Sequence, residues 1–140
     1  MNDSKSVVIR VLIAGCRNFN DYKTAKSYID MCISRIRKSG QIIIVSGGAN
    51  GADKLAERYA AENNFKCEVF LPDWQKFGRS AGPKRNSEMV KVSDFVICFW
   101  DKKSNGTKST IELSKKHNKP LRVKIIQTSL QDNTKTAAID

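Results

Sequence analysis

The chain has 140 residues, 40% of them hydrophobic, which suits one ordinary domain with its own core. It carries 25 Lys and Arg against 14 Asp and Glu, a formal charge of +11 that favours acidic partners, either phosphorylated small molecules or nucleic acid. No apolar run approaches the ~18 residues of a membrane span and the first six residues lack a signal-like pattern, so a cytoplasmic protein with no membrane partner is expected.

Val7 to Ala14 is apolar and β-branched except for Arg10, and reads as a buried central strand ended by Gly15. From Asp21 to Lys38, Ala25, Ile29, Ile33 and Ile36 recur at helical spacing, with Asp21 placed to cap the start and Gly40 just past the end. Ile42 to Val45 is a second buried strand, Asn50 to Asn63 a second helix, and Cys67 to Leu71 a third strand closed by Pro72. An irregular stretch from Asp73 to Pro83 leads into a helix from Lys84 to Val92, followed by a strand from Asp94 to Trp100. A helix from Thr107 to His117 and a strand from Leu121 to Ile126 complete the pattern, which makes residues 1–126 one domain and 127–140 a polar, flexible tail. Strands alternating with helices predict an α/β fold: a Rossmann-like, three-layer, doubly wound domain with a mostly parallel sheet of about five strands.

In such a fold, ligands sit beyond the carboxyl ends of the strands, and here the loops rich in glycine, tryptophan and arginine all follow strands. The run Ser46-Gly47-Gly48-Ala49-Asn50-Gly51-Ala52-Asp53 has three glycines in five positions between a strand and a helix. That arrangement exposes backbone N–H groups and a positive helix end to an anion, which makes Ser46, Gly47, Gly48, Ala49, Gly51 and Asp53 candidate ligand-binding residues. The turn fits neither G-x-G-x-x-G nor G-x-x-x-x-G-K-[ST], which disfavours ordinary NAD-dependent redox work and P-loop hydrolysis. Asp53 would repel a phosphate beside it, and is read as holding a ribose hydroxyl or a base edge, or as complementing the helix dipole.

Trp74, in the third loop, is read either as a surface on which a base stacks or as a lid over the core. Arg85, with Arg79, could grip phosphate, and Gly82 and Asn86 lie beside it. After the first strand, Gly15 and Arg17 are weaker candidates. Gly106-Thr107 opens a helix, where Thr107 either caps the helix or offers its hydroxyl to a phosphate. Cys16, Cys32, Cys67 and Cys98 form no C-x-x-C pair and the chain has one histidine, so reduced buried thiols and no metal are expected.

Together these residues resemble a family. Gly15-x-Arg17-x-Phe19, Ser46-Gly47-Gly48-Ala49-x-Gly51-Ala52-Asp53, Asp73-Trp74-x-x-x-Gly78, Ala81-Gly82-Pro83-x-Arg85-Asn86-x-x-Met89 and Gly106-Thr107 are similar to the YspA-related branch of the SLOG superfamily. That superfamily includes the Lonely Guy (LOG) phosphoribohydrolases and the DNA-processing protein DprA. The resemblance implies a nucleotide-binding Rossmann-like domain and a homo-oligomer.

Arg85 and Met89 match the LOG R-x-x-x-M segment, which gives Arg85 the place of a residue implicated in catalysis. Of the LOG motif P-G-G-x-G-T-x-E-E only Gly106 and Thr107 are matched; Ser109 and Thr110 stand where the glutamates do, and the first acid is Glu112. Cleaving an N-glycosidic bond needs a carboxylate near the reacting centre, so the pattern favours binding of a phosphorylated nucleotide derivative, ADP-ribose-like, NAD-related or cyclic, for sensing or sequestration. The alternatives are hydrolysis of a nucleotide's glycosidic or phosphoester bond, with Asp53, Asp101 or Glu112 as the acid or base beside Arg85, and binding of single-stranded DNA.

Overall fold

A computed structural model describes residues 7–127, so the expected tail lies, apart from Gln127, outside the described residues. Five strands, β1 (Val8–Gly15), β2 (Gln41–Ser46), β3 (Lys66–Val69), β4 (Phe95–Trp100) and β5 (Leu121–Ile125), form one sheet in the order β3-β2-β1-β4-β5. Every pairing is parallel. Five helices connect them: α1 (Tyr22–Ile33), α2 (Ala52–Glu62), the single turn α3 (Trp74–Phe77), α4 (Ala81–Val92) and α5 (Asn105–Lys116). The expected five-stranded Rossmann-like architecture is the one found.

β1 is central because it alternates within an almost unbroken apolar run. Ile9, Val11 and Ile13 pack with Ala25, Ile29, Ala56 and Tyr59 of α1 and α2, while Leu12 and Ala14 pack with Met89, Val90 and Ile111 of α4 and α5. A period of two thus supplies both faces of the sheet from one strand. Arg10, the one charge in that run, reaches Glu68 on β3 through Nε and Nη2 at 2.8 and 3.1 Å. The pair lies at the sheet's partly exposed end, where a paired guanidinium costs little.

Several boundaries shift, each for a local reason. The first helix ends at Ile33 rather than Lys38: Ser34 donates its hydroxyl to the Met31 carbonyl, competing with the helical ladder, and Ile36–Lys38 form a separate 3-10 turn. The irregular stretch contains α3, capped by the Asp73 carboxylate, and a 3-10 turn over Gly78–Ser80. The next helix begins at Ala81, not Lys84, with Pro83 in its first turn, where a missing N–H breaks no helical bond. The last helix begins at Asn105, and Ser104 is its cap instead of Thr107.

The order of the strands decides where a ligand can lie. From β1 the chain steps outward through β2 to β3, then returns across the sheet to β4, so the connections leaving β1 and β4 diverge. The crevice at their carboxyl ends is the switch point of the fold.

Candidate functional site

A cleft of about 460 Å³ occupies that switch point. It is lined by Gly15, Arg17 and Asn18 after β1, Ala49 and Asp53 at the start of α2, Arg85, Asn86 and Met89 on α4, and Asp101, Lys103, Ser104, Gly106, Thr107 and Thr110 around the start of α5. Four separate segments therefore converge on one rim, as the loop pattern predicts.

The glycine turn is arranged differently from an open anion cradle. Gly48 N–H donates to Ser46 Oγ at 3.1 Å, Ala49 N–H to Asp53 Oδ2 at 3.1 Å, and Ala52 N–H to the Cys16 carbonyl at 3.1 Å. Three donors expected to face a ligand are thus satisfied within the protein, and the positive end of α2 is already complemented by its own Asp53. Ser46 is fully buried beneath the turn, 2.9 Å from Glu57 Oε2, and holds the loop rather than lining the cleft. Gly51 is needed for its φ of +79° and because a side chain there would strike the Cys16 and Arg17 carbonyls. Gly47, Gly48 and Gly51 likewise shape the turn without lining the cleft.

Gly47 matters for a different reason. A Cβ on it would lie 2.8 Å from both Arg85 Nη1 and Asp53 Oδ2, so the absence of a side chain is what lets these two groups converge. Arg85 Nη1 donates to the carbonyls of Gly47 at 2.7 Å and Phe70 at 3.2 Å, and Nε to Asn86 Oδ1 at 2.8 Å. The guanidinium therefore ties the loops after β2 and β3 to α4 while its charge stays at the cleft wall. Burial raises the Asp53 carboxyl to about 6, against the opposing pull of the Ala49 N–H and the Arg85 charge.

The other wall is the start of α5. Asp101 Oδ1 accepts from Lys103 N–H and Ser104 N–H, both at 2.8 Å. Burial works against its ionisation, but these bonds outweigh it and hold the carboxyl below its usual range. The Trp100 indole N–H donates to the Ser104 carbonyl at 3.0 Å and fixes the turn from the strand side. Thr107 is buried with its hydroxyl 3.2 Å from Ser104 Oγ, so it braces the cap. Gly106 faces open space, which leaves the first turn of α5 accessible beside Lys103, in the cleft that Arg17 also lines. The sequence-level reading missed Asn18, Lys103 and Ser104; the Ser104-x-x-Thr107 spacing and the lysine beside it were the available signals.

Three further expected residues lie outside the cleft lining. Trp74 and Gly82 sit on α3 and the first turn of α4, outside the cleft lining, and Trp74 is 56% exposed rather than a lid over the core. Glu112 is exposed on α5 and does not reach the cleft, because it lies five residues beyond Thr107 and so on another face of the helix. Among the described residues no group of His, Cys, Asp and Glu could hold a metal ion, and the four cysteines are free, Cys16 and Cys98 being buried and Cys32 and Cys67 partly so.

Residues 9–77, which carry the glycine turn and the Asp73-Trp74 segment, match the model of the family described as YspA, cpYpsA-related SLOG. The chain is also 33% identical over 119 residues to the Gene 61 protein of Mycobacterium phage D29, an alignment covering 80% of this chain and 93% of that protein. The chain belongs to the YspA, cpYpsA-related SLOG family. The α5 wall of this SLOG domain lies beyond the matched residues, so its part in the site rests on geometry.

Two solved structures share the SLOG fold seen here. DNA processing protein A from Streptococcus pneumoniae superposes with a TM-score of 0.65 at 17% identity, over 83% of this chain, which spans half the length of that protein. DNA processing protein A from Helicobacter pylori, solved for its mode of single-stranded DNA binding, gives 0.64 at 23% identity, covering 93% of this chain and 72% of that one. At these identities the likeness establishes the fold. No helix among the described residues is long and apolar enough to cross a membrane.

Proposed function

We propose that the cleft binds a phosphorylated nucleotide derivative and recognises it rather than turning it over. The observation that carries this reading is the pairing of two walls: an open first turn of α5 at Gly106, with Lys103 in the loop before it, shares the cleft with Arg17 and the carboxylate of Asp53. A phosphate on the α5 side gains the helix dipole and the Lys103 charge, with Arg17 in the same cleft, while Asp53 accepts from a sugar hydroxyl or a base edge on the other side. Arg85 fixes the Asp53 side of the cleft by tying the loops after β2 and β3 to α4.

Both cleft carboxylates, Asp53 and Asp101, are bound to backbone N–H groups, an arrangement suited to a fixed recognition surface. Calorimetric titration of the protein with ADP-ribose, NAD and cyclic nucleotides tests the reading. Saturable binding that weakens at least tenfold in Arg17→Ala/Lys103→Ala is expected; no binding across the panel overturns it. Release of free base or phosphate at turnover would instead make the site hydrolytic.

A second reading, single-stranded DNA binding, is favoured by the +11 charge and by the fold shared with the Helicobacter pylori protein. It predicts affinity for oligonucleotides that falls steeply with salt, in proportion to the phosphates contacted.

A further inference from the structure

The loop after β3 leaves a feature that the cleft does not use. Every residue from Asp73 to Ser80 is exposed, and two of them are aromatic, Trp74 at 56% and Phe77 at 36% exposure. Leaving large rings in water is costly at about 25 cal/mol per Å² of apolar surface, and a core-forming role is excluded by their position. Phe77 is flanked by cations: Lys76 Nζ and Lys84 Nζ stand 5.1 and 4.8 Å from its centroid, and Arg79 lies in the 3-10 turn that follows α3. An exposed aromatic among cations suits a flat, electron-rich group linked to an anion.

The position of this shelf relative to the cleft decides its use. Trp74 Cη2 would stand 3.6 Å from a Cβ on Gly82, so the indole rests against the first turn of α4 where that helix has no side chain. Gly82 is three and four residues before Arg85 and Asn86, which line the cleft, and so shares their face of the helix one turn away. At a rise of 1.5 Å per residue, that is about 6 Å along α4. A nucleotide–phosphate linkage is long enough to span a separation of that size.

We propose that Trp74 is a stacking platform for a second nucleobase, joined through a phosphate linkage to the nucleotide held in the cleft, with Lys84 and Arg79 beside the linking phosphate. The inference rests on the cleft reading and names its ligand class: a two-base nucleotide rather than a mononucleotide. The same chemistry is offered by a small dinucleotide and by consecutive residues of a single strand.

The test is calorimetric titration of wild type and Trp74→Ala with three probes: 5′-AMP, the dinucleotide pApA and a ten-residue oligo-dA. Trp74→Ala removes an exposed ring, so its thermal melt should match wild type. The expected result is that pApA binds wild type about 5- to 100-fold more tightly than 5′-AMP, a gain of the size measured per stacked base, and that Trp74→Ala abolishes the gain without changing 5′-AMP affinity.

A gain complete at pApA and weakly salt-dependent identifies a small dinucleotide; a gain that appears only with the oligonucleotide and falls steeply with salt identifies a strand. Equal binding of 5′-AMP and pApA, with the oligonucleotide insensitive to Trp74→Ala, overturns the platform and leaves the cleft reading standing. No binding of any probe overturns both. Trp74-dependent oligonucleotide binding without 5′-AMP binding upholds the platform and removes the cleft as its anchor.

Discussion

Arg85, in the second turn of α4, donates from Nη1 to the carbonyl of Gly47 at 2.7 Å, bridging 38 residues of sequence. The same nitrogen meets the Phe70 carbonyl, so one side chain fastens the loops after β2 and β3 to the helix that forms the cleft wall. Arg85 is thus structural, and on the proposed function it also borders the ligand, so its replacement should have two separable consequences.

Arg85→Ala leaves two partly buried carbonyls without a donor, and the protein should lose about 1–3 kcal/mol of stability as well as affinity for nucleotide. Arg85→Lys restores the charge but not the planar, multi-donor head, so it should recover ligand affinity better than stability. Urea unfolding beside calorimetric titration checks this; equal recovery of both would show that the carbonyl bonds contribute little.

Gly47→Ala forces a methyl group to within 2.8 Å of Arg85 Nη1 and Asp53 Oδ2, and should destabilise by about 1–3 kcal/mol through overpacking. Adding Arg85→Ala removes one of the colliding groups. The double variant should therefore be more stable than the sum of the single changes implies, by a coupling of at least ~0.5 kcal/mol. Additive losses in a double-mutant cycle would place the strain elsewhere.

The Asp53 carboxyl is raised to about 6 in the folded protein by burial, from the 3.8 of an unperturbed aspartate. A raised folded value means that the folded state binds the proton more tightly. Stability from this group is then fully present below pH ~4, declines as pH rises from ~4 to ~6, and is lowest above that. Asp53→Asn keeps an oxygen for the Ala49 N–H and removes the charge, so at pH 7 it should gain about 1–3 kcal/mol, a gain that vanishes below pH ~4. Thermal melts of both proteins from pH 4 to 8 measure the difference, and a variant less stable at pH 7 would contradict the assignment. The same substitution should weaken binding of any ligand that offers a hydroxyl to the carboxylate.

Gly106 faces open space in the first turn of α5, so a side chain fits there without collision. Gly106→Glu places a negative charge at the positive end of that helix, which should leave the protein as stable or up to ~1 kcal/mol more so. Nucleotide affinity should nevertheless fall more than tenfold, because the carboxylate takes the phosphate position. Retained affinity would remove α5 as the anion wall.

Glu112, the first acid after the Gly106-Thr107 step, is exposed on α5 and away from the cleft. Glu112→Gln should leave nucleotide affinity within about twofold of wild type, since surface substitutions remote from a site seldom exceed ~0.5 kcal/mol. A larger loss in titration would bring this residue into the site.

Much of this was legible in the sequence because it depends on local pattern. The apolar runs Val7–Ala14, broken only by Arg10, Ile42–Val45 and Phe95–Trp100 specify buried parallel strands, since only a sheet covered on both faces suits a strand without alternation. The helical periods between them fix the connections, and a glycine-rich turn after a strand marks the end of the sheet at which the cleft forms. Helix ends were less legible, because Ser34 and Ser104 act through single hydrogen bonds that no periodicity reveals.

What only the tertiary structure decided is which polar groups remain free. Glycines in a strand-to-helix turn announce close approach, and here the approaching groups are Asp53 and Arg85 of the protein itself. The turn's N–H groups at Gly48, Ala49 and Ala52 are consumed by Ser46, Asp53 and Cys16, while the open space lies at Gly106 in the first turn of α5, some fifty residues on. Hydrogen bonds between distant segments are set by the packing of the whole sheet, and a sequence records the donors and acceptors but not which of them meet.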